Sequence, residues 1–251
     1  MPVPALEPVV QQIVMAPARR EGVRVVAKAA GTAMARDGLV LSGGAKMLAE
    51  ARALMAATRD NAYAHIPEIA PERGYFRADC SELIDYLAGH VRNDALAGVP
   101  LDAGHGQPRA DNWQAFLAGR PAAGTPAARH GWGQVPAPGA LQPGDVIAWR
   151  NMAYTPGHGD TGHIMLVAGA PAPVARAGKV VGYDVPIIDS TSHGHGLADD
   201  RLKGVKSGLG QGAVFFPVDA TGAATGFSWT PSAVATDLPP RPPTLGFGRL
   251  D

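Results

Sequence analysis

From Leu141 onward the chain passes through one apolar run after another at strand spacing, with no helical stretch between them. The runs are Val146-Ile147-Ala148-Trp149, His163-Ile164-Met165-Leu166-Val167-Ala168, Asp184-Val185-Pro186-Ile187-Ile188 and Ala213-Val214-Phe215-Phe216-Pro217-Val218. Gly226-Phe227-Ser228-Trp229 follows the last of these across Asp219-Ala220-Thr221-Gly222, a turn-rich link that predicts a closing hairpin. Strands that succeed one another without crossover helices pair antiparallel, because a parallel neighbour needs a connection long enough to cross the sheet. The spacing before Leu141 is helical instead. Met47, Leu48, Ala51, Leu54 and Met55 form one stripe after Gly43-Gly44, and Leu83, Ile84, Leu87 and Val91 form another. The expected fold class is therefore α+β, with helices first and an antiparallel sheet after them.

Changes of texture divide the chain into three. Residues 1–60 are alanine-rich and read as a helical extension, with Val9, Val10, Ile13 and Val14 at helical spacing and Val23 to Val26 as a strand or helical turn. Residues 61–230 hold the main domain. Within it, 101–140 reads as a long Gly/Pro/Ala connection with one short helix around Asn112 to Ala118, a length that suggests the wall of a site. Residues 231–251 contain Pro239-Pro240-Arg241-Pro242-Pro243 and read as an extended tail without a core.

Charge narrows the function classes. Lys and Arg number 22, Asp and Glu 22, and the net charge is zero, which gives no electrostatic footing for nucleic acid or an anionic membrane. No stretch approaches the roughly 18–20 uninterrupted apolar residues that cross a bilayer. Met1 to Glu7 lack the basic-then-apolar layout of a secretory signal, so the expectation is a cytoplasmic chain, or an exported one whose leader has been removed.

Cys80 is the single cysteine, so it forms no internal disulfide. Asp79 before it and Glu82 after it match a capping box, which makes Cys80 the first residue of a helix. Unpaired N–H groups and the positive end of the helix dipole favour a thiolate there, whereas a structural cysteine belongs in the apolar stripe. A nucleophile needs a base and an orienter. His163 opens one predicted strand and Asp189 closes the next, so antiparallel pairing would make them neighbours. A carboxylate in that place fixes the imidazole tautomer.

Asp79-Cys80-Ser81 with its amphipathic helix resembles the nucleophile motif of the NlpC-type cysteine peptidases, a bacterial branch of the papain-like superfamily. Leu141-Gln142-Pro143-Gly144-Asp145-Val146-Ile147 is similar to the strand that precedes the family's histidine, Thr161-Gly162-His163-Ile164-Met165-Leu166-Val167 to its histidine strand, and Ile187-Ile188-Asp189-Ser190-Thr191 to the strand carrying its third polar residue. The resemblance covers about residues 61–230. It implies a papain-like fold, no cofactor, and hydrolysis of amide bonds, commonly in peptide or peptidoglycan-fragment substrates. Carried over by position, Cys80 is the nucleophile, His163 the base and Asp189 the orienter. Tyr63 or Tyr75 is the tyrosine that assists the oxyanion, and Ser81 a neighbouring substrate contact.

Three features depart from that pattern. Glu82 stands where the family has glycine, and its carboxylate would oppose a thiolate or obstruct substrate unless it serves only as a helix cap. Asp189 stands where histidine is more usual, and the interval from Cys80 to His163 is long. Two other function classes fit the same residues: a papain-like scaffold that binds without catalysis, and an acyltransferase or thioesterase with the same triad. A metal site would draw on His163, His193, His195 and a carboxylate, but Gly-His-Gly-His without a helical ligand pair favours a polar loop, so no metal is expected.

Overall fold

The computed structural model describes residues 41–128, 131–153, 159–196, 199–204, 207–230, 232 and 244–251. The expectations for residues 9–26 and for the prolines at 239–243 lie outside these. The chain is α+β. Helix α1 (Gly43–Ala57) leads into short strands β1 (Asp60–Ala62), β2 (Glu68–Ala70) and β3 (Tyr75–Arg77), which form a small sheet in the order β1-β3-β2. Helix α2 (Cys80–Val91), helix α3 (Ala110–Ala118) and strand β4 (Trp132–Gln134) follow. The main strands are β5 (Val146–Arg150), β6 (Gly162–Val167), β7 (Ala172–Arg176), β8 (Lys179–Thr191), β9 (Gly208–Pro217) and β10 (Thr244–Leu250).

The seven-stranded sheet runs β4-β10-β5-β6-β8-β7, with β9 on the other side of β8, and its described pairings are antiparallel. Alternation along each strand sends side chains to two separate apolar layers. Ala148, Ile164, Leu166 and Ile188 join Met47, Leu54, Leu83, Leu87 and Trp113 beneath the helices. Ile147, Met165, Val167, Ile187, Val214 and Phe216 form the second layer on the opposite face. Burial on both faces explains why these strands read as near-continuous apolar runs. The 101–140 segment is less irregular than its composition suggests. Trp113 and Trp132 are both core residues, stacked edge to face at 5.3 Å, and Trp113 Nε1 donates to Asp85 Oδ1 at 2.8 Å, tying α3 to α2.

Two of the expected divisions need correction. Residues 41–60 and 244–251 belong to one compact unit, Val40–Asp251, rather than to an appendage and a tail. Helix α1 starts at the Gly43-Gly44 pair, capped by Ser42, and buries the stripe from Met47 to Leu54. The end of the chain is a sheet strand lying between β4 and β5, with Leu250 fully buried and Phe247 nearly so. The strand was hard to see because Gly246 and Gly248 dilute its pattern. Both are needed where α3 crosses, since a Cβ would come within 2.7 Å of Gln114 O at the first and 2.3 Å of Leu117 Cδ2 at the second. The hairpin expected after Asp219 is reduced to two isolated antiparallel bridges, Phe215 with Ser228 and Val218 with Ala224.

If the last strand is structural, Leu250→Ala lowers stability by about 2–5 kcal/mol in urea unfolding. A loss well under about 1 kcal/mol would match the tail instead.

Candidate active site

Asp79 ends the extended segment after β3 and caps α2 as the sequence predicts. Its Oδ1 accepts from the N–H groups of Ser81 and Glu82 at 2.9 and 3.0 Å, and its own N–H donates to Glu82 Oε2 at 2.8 Å. Glu82 is buried, with its second oxygen accepting from Gln107 Nε2 at 2.9 Å. Burial still pushes its carboxyl above the usual range. Glu82 is thus a helix cap and does not line the groove. Ser81 lines the groove beside Cys80, tied to the same cap. Its N–H and its hydroxyl, at 2.8 Å, are both committed to Asp79.

Cys80 therefore occupies the first helical position, where its own N–H has no intrahelical acceptor. It is 6% exposed and lines a groove of about 1190 Å³ together with His163, Tyr63, Trp149 and Trp229. Ser190 Oγ on β8 donates to Ala78 O at 2.7 Å, so the strand that carries Asp189 also holds the chain just before Cys80.

His163 leaves β6 immediately after Gly162, whose φ of +129° is reserved for glycine. A Cβ there would sit 1.9 Å from Trp149 O. The antiparallel register Leu166–Ile188 and Val167–Ile187 brings the start of β6 beside the end of β8, as expected from the sequence. His163 Nε2 meets Asp189 Oδ2 at 2.6 Å, which leaves Nδ1 as the ring nitrogen available to the Cys80 thiol. Burial alone would drive the His163 pKa down, but the Cys80 charge and the bond to Asp189 outweigh it and push it up to about 10. A hydrogen bond with the Cys80 side chain adds to the rise.

Asp189 has no exposed surface. Burial would raise its pKa, yet hydrogen bonds from His163 and His195, with Arg201 beside it, hold the carboxyl far below the usual range. Arg201 Nη2 donates to Asp189 Oδ1 at 2.7 Å and also to Asp199 Oδ2 at 2.7 Å. Its Nη1 donates to the carbonyls of Asp189 and Gly208. Sequence reasoning weighed His195 beside His163 only as a metal ligand, and it missed Asp199 and Arg201 as partners of the site. Only the Asp-Asp-Arg charge cluster at 199–201 and the Gly-His-Gly-His stretch hinted at them.

The two tyrosines separate cleanly. Tyr63 lines the groove, and burial together with the charges of Cys80 and Asp79 raises its pKa, so the phenol keeps its O–H. Tyr75 lies away from the groove between Arg73 and Arg77, whose guanidinium carbons are 5.3 and 5.9 Å from its ring centre.

The metal arrangement considered above changes membership. His163, Asp189 and His195 place one potential ligand atom each within 4.8 Å of one another, while His193 bonds Ser192 Oγ instead. The separations are those of hydrogen bonds, and the Arg201 guanidinium already supplies the positive charge that a cation would bring to Asp189. The donor set fits a hydrogen-bonded cluster better than a metal centre.

No family model matches the chain, and no solved structure matches it. A curated relative is an uncharacterized protein of Acanthamoeba polyphaga mimivirus, 30% identical over 122 residues. The match covers 44% of this chain and 54% of the viral protein, so the chain spans about half the length of the relative it matches. Among the described residues, no helix is long and apolar enough to cross a membrane.

Asp189 and Asp199 both titrate below their ordinary value, the second held down against burial by Arg201 and by backbone donors. A depressed carboxyl stabilises the fold fully above the unfolded value, near pH 4, and loses that contribution as pH falls through the folded value. Arg201→Met strands two buried carboxylates, and should cost about 3–5 kcal/mol in urea unfolding at neutral pH. The cost should shrink as pH drops below about 4, where the carboxyls take up protons. A cost that is small and independent of pH would show that Arg201 does not support the cluster.

Proposed function

We propose that this chain is a cysteine hydrolase of amide bonds, built on a papain-like fold of the NlpC type and working through Cys80, His163 and Asp189. The observation that carries the proposal is that Cys80 and His163 line one groove, with Asp189 buried behind the imidazole. A thiol at a helix N-terminus adjoins an imidazole whose far nitrogen is fixed by a buried carboxylate 2.6 Å away. A structural cysteine has no need of either partner.

In this scheme His163 Nδ1 takes the Cys80 proton, and the sulfur attacks the scissile carbonyl to form a tetrahedral adduct. Its oxyanion is met by the Cys80 N–H and by Tyr63, whose phenol is held protonated. The elevated proton affinity of His163 keeps the proton on the ring until the leaving amine collects it. Asp189 holds Nε2–H and balances the imidazolium charge. Water, deprotonated by the same ring, then cleaves the thioester and restores the thiol. Peptides, and bacterial cell-wall peptides in particular, are the substrate class that the resemblance suggests.

Mixed peptidoglycan fragments and acylated peptides test this directly. Wild type should release new amines, and Cys80→Ser should lose about a thousandfold or more in kcat. Iodoacetamide should label Cys80 faster than a free model thiol near neutral pH, with His163→Ala slowing it. Ligand binding retained in Cys80→Ser without any turnover by wild type would favour the binding scaffold. An acyl group passed to an added amine, with no hydrolysis, would favour the transferase.

A further inference from the structure

Asp189 serves more than one ring. Its Oδ2 meets Nε2 of His163 at 2.6 Å and Nε2 of His195 at 2.9 Å, while Oδ1 accepts from Arg201. His195 reaches this place under independent constraints. Its ring stacks on Trp229 with centroids 3.5 Å apart and planes 4° from parallel, and its N–H donates to Asp199 Oδ2 at 2.7 Å. It stands edge-on to His163, 5.5 Å between centroids. A ring pinned on its face and at its backbone is not a casual neighbour of the carboxylate. Arg201 divides its charge between Asp189 and Asp199, so His195 gives Asp189 a further donor and fixes its geometry. It occupies one side of Oδ2 and leaves His163 a single direction of approach.

We propose that His195 is a positioning residue, acting on His163 through the Asp189 oxygen that the two imidazoles share. This rests on the assignment of Cys80 and His163 as a reactive pair. His195 needs no contact with substrate. It fixes the carboxylate plane and withdraws part of its charge from His163. Loss of His195 leaves Asp189 freer to turn and more strongly basic toward His163, whether His195 is neutral or charged. The ring should then hold its proton to higher pH, yet sit less well against the thiol. The groups facing His163 are Cys80 from α2, Asp189 from β8, and His195 from the segment after β8, with Arg201 and Asp199 behind. Tyr63 and Asp160 line the same groove.

Because Cys80 is the single cysteine, iodoacetamide uptake followed by intact mass reports on it alone. Rates would be measured from about pH 5 to about pH 11, alongside thermal melts, for wild type, His195→Ala, His195→Gln and His195→Asn. Wild type should react faster than a model thiol, with a break on the basic side of its profile. His195→Ala should move that break upward by about half a pH unit and lower the plateau about threefold. His195→Gln, whose amide nitrogen reaches the place of Nε2, should restore both. His195→Asn, one methylene shorter, should not. Profiles of Ala, Asn and Gln variants that all overlay wild type would overturn the proposal while leaving the reactive pair standing. A wild type that labels like a free thiol would overturn the pair, and the role of His195 with it. Should His195→Ala fail to fold, the Gln and Asn profiles decide alone: a difference between them supports the proposal, and their identity overturns it.

Discussion

A carboxylate with no exposed surface stays charged in a protein interior only when hydrogen-bond donors replace the water it has lost. Asp189 is such a group, and much of the molecule is arranged to supply its donors. Strand β8 carries it between β6 and β9, the turn at 200–203 delivers Arg201, and β6 and the segment after β8 each deliver an imidazole. Arg201 is itself buried and divides its donors between Asp189, Asp199 and two carbonyls. The arrangement is mutual. Removing any one partner leaves another buried group unsatisfied, which is the costly case.

The Cys80 side of the groove depends on a second, smaller set of bonds. The capping box of Asp79 and Glu82 sets where α2 begins, and hence that Cys80 rather than a neighbour is its first residue. Ser190 joins the two sets by bonding Ala78 from the residue next to Asp189. Apolar packing of α2 under β6 and β8, through Leu83, Ile84 and Leu87, supplies the bulk of the support. Polar bonds then decide register within that packing. The fold places the thiol and the imidazole together through hydrophobic layers and aligns them through a few hydrogen bonds.

Local patterns were legible in the chain, and long-range ones less so. Asp79 to Glu82 announced the cap because a capping box is written in four consecutive residues. His163 and Asp189 were found because each ends an apolar run, and antiparallel pairing relates such ends. Strand β10 was missed because Gly246 and Gly248, kept small by the passage of α3, weaken the alternation of Leu245 and Phe247. His195 and Arg201 were missed as supports because their meaning lies in a carboxylate on another element. Trp229 stacking on His195 is likewise a contact that no periodicity encodes. Glu82 shows the reverse case. Its sequence position suggested interference with Cys80, and only its bond to Gln107, 25 residues away, shows where the carboxylate points.

The central claim is that Cys80, His163 and Asp189 behave as one coupled array. Following the ring nitrogens of His163 by nitrogen-15 NMR across pH tests it most directly, in wild type and in Cys80→Ser. The coupled array predicts that wild-type His163 keeps its proton through neutral pH and releases it near pH 10, and that Cys80→Ser brings the titration down. Release near the ordinary imidazole value of about 6.5, unchanged by Cys80→Ser, would contradict it.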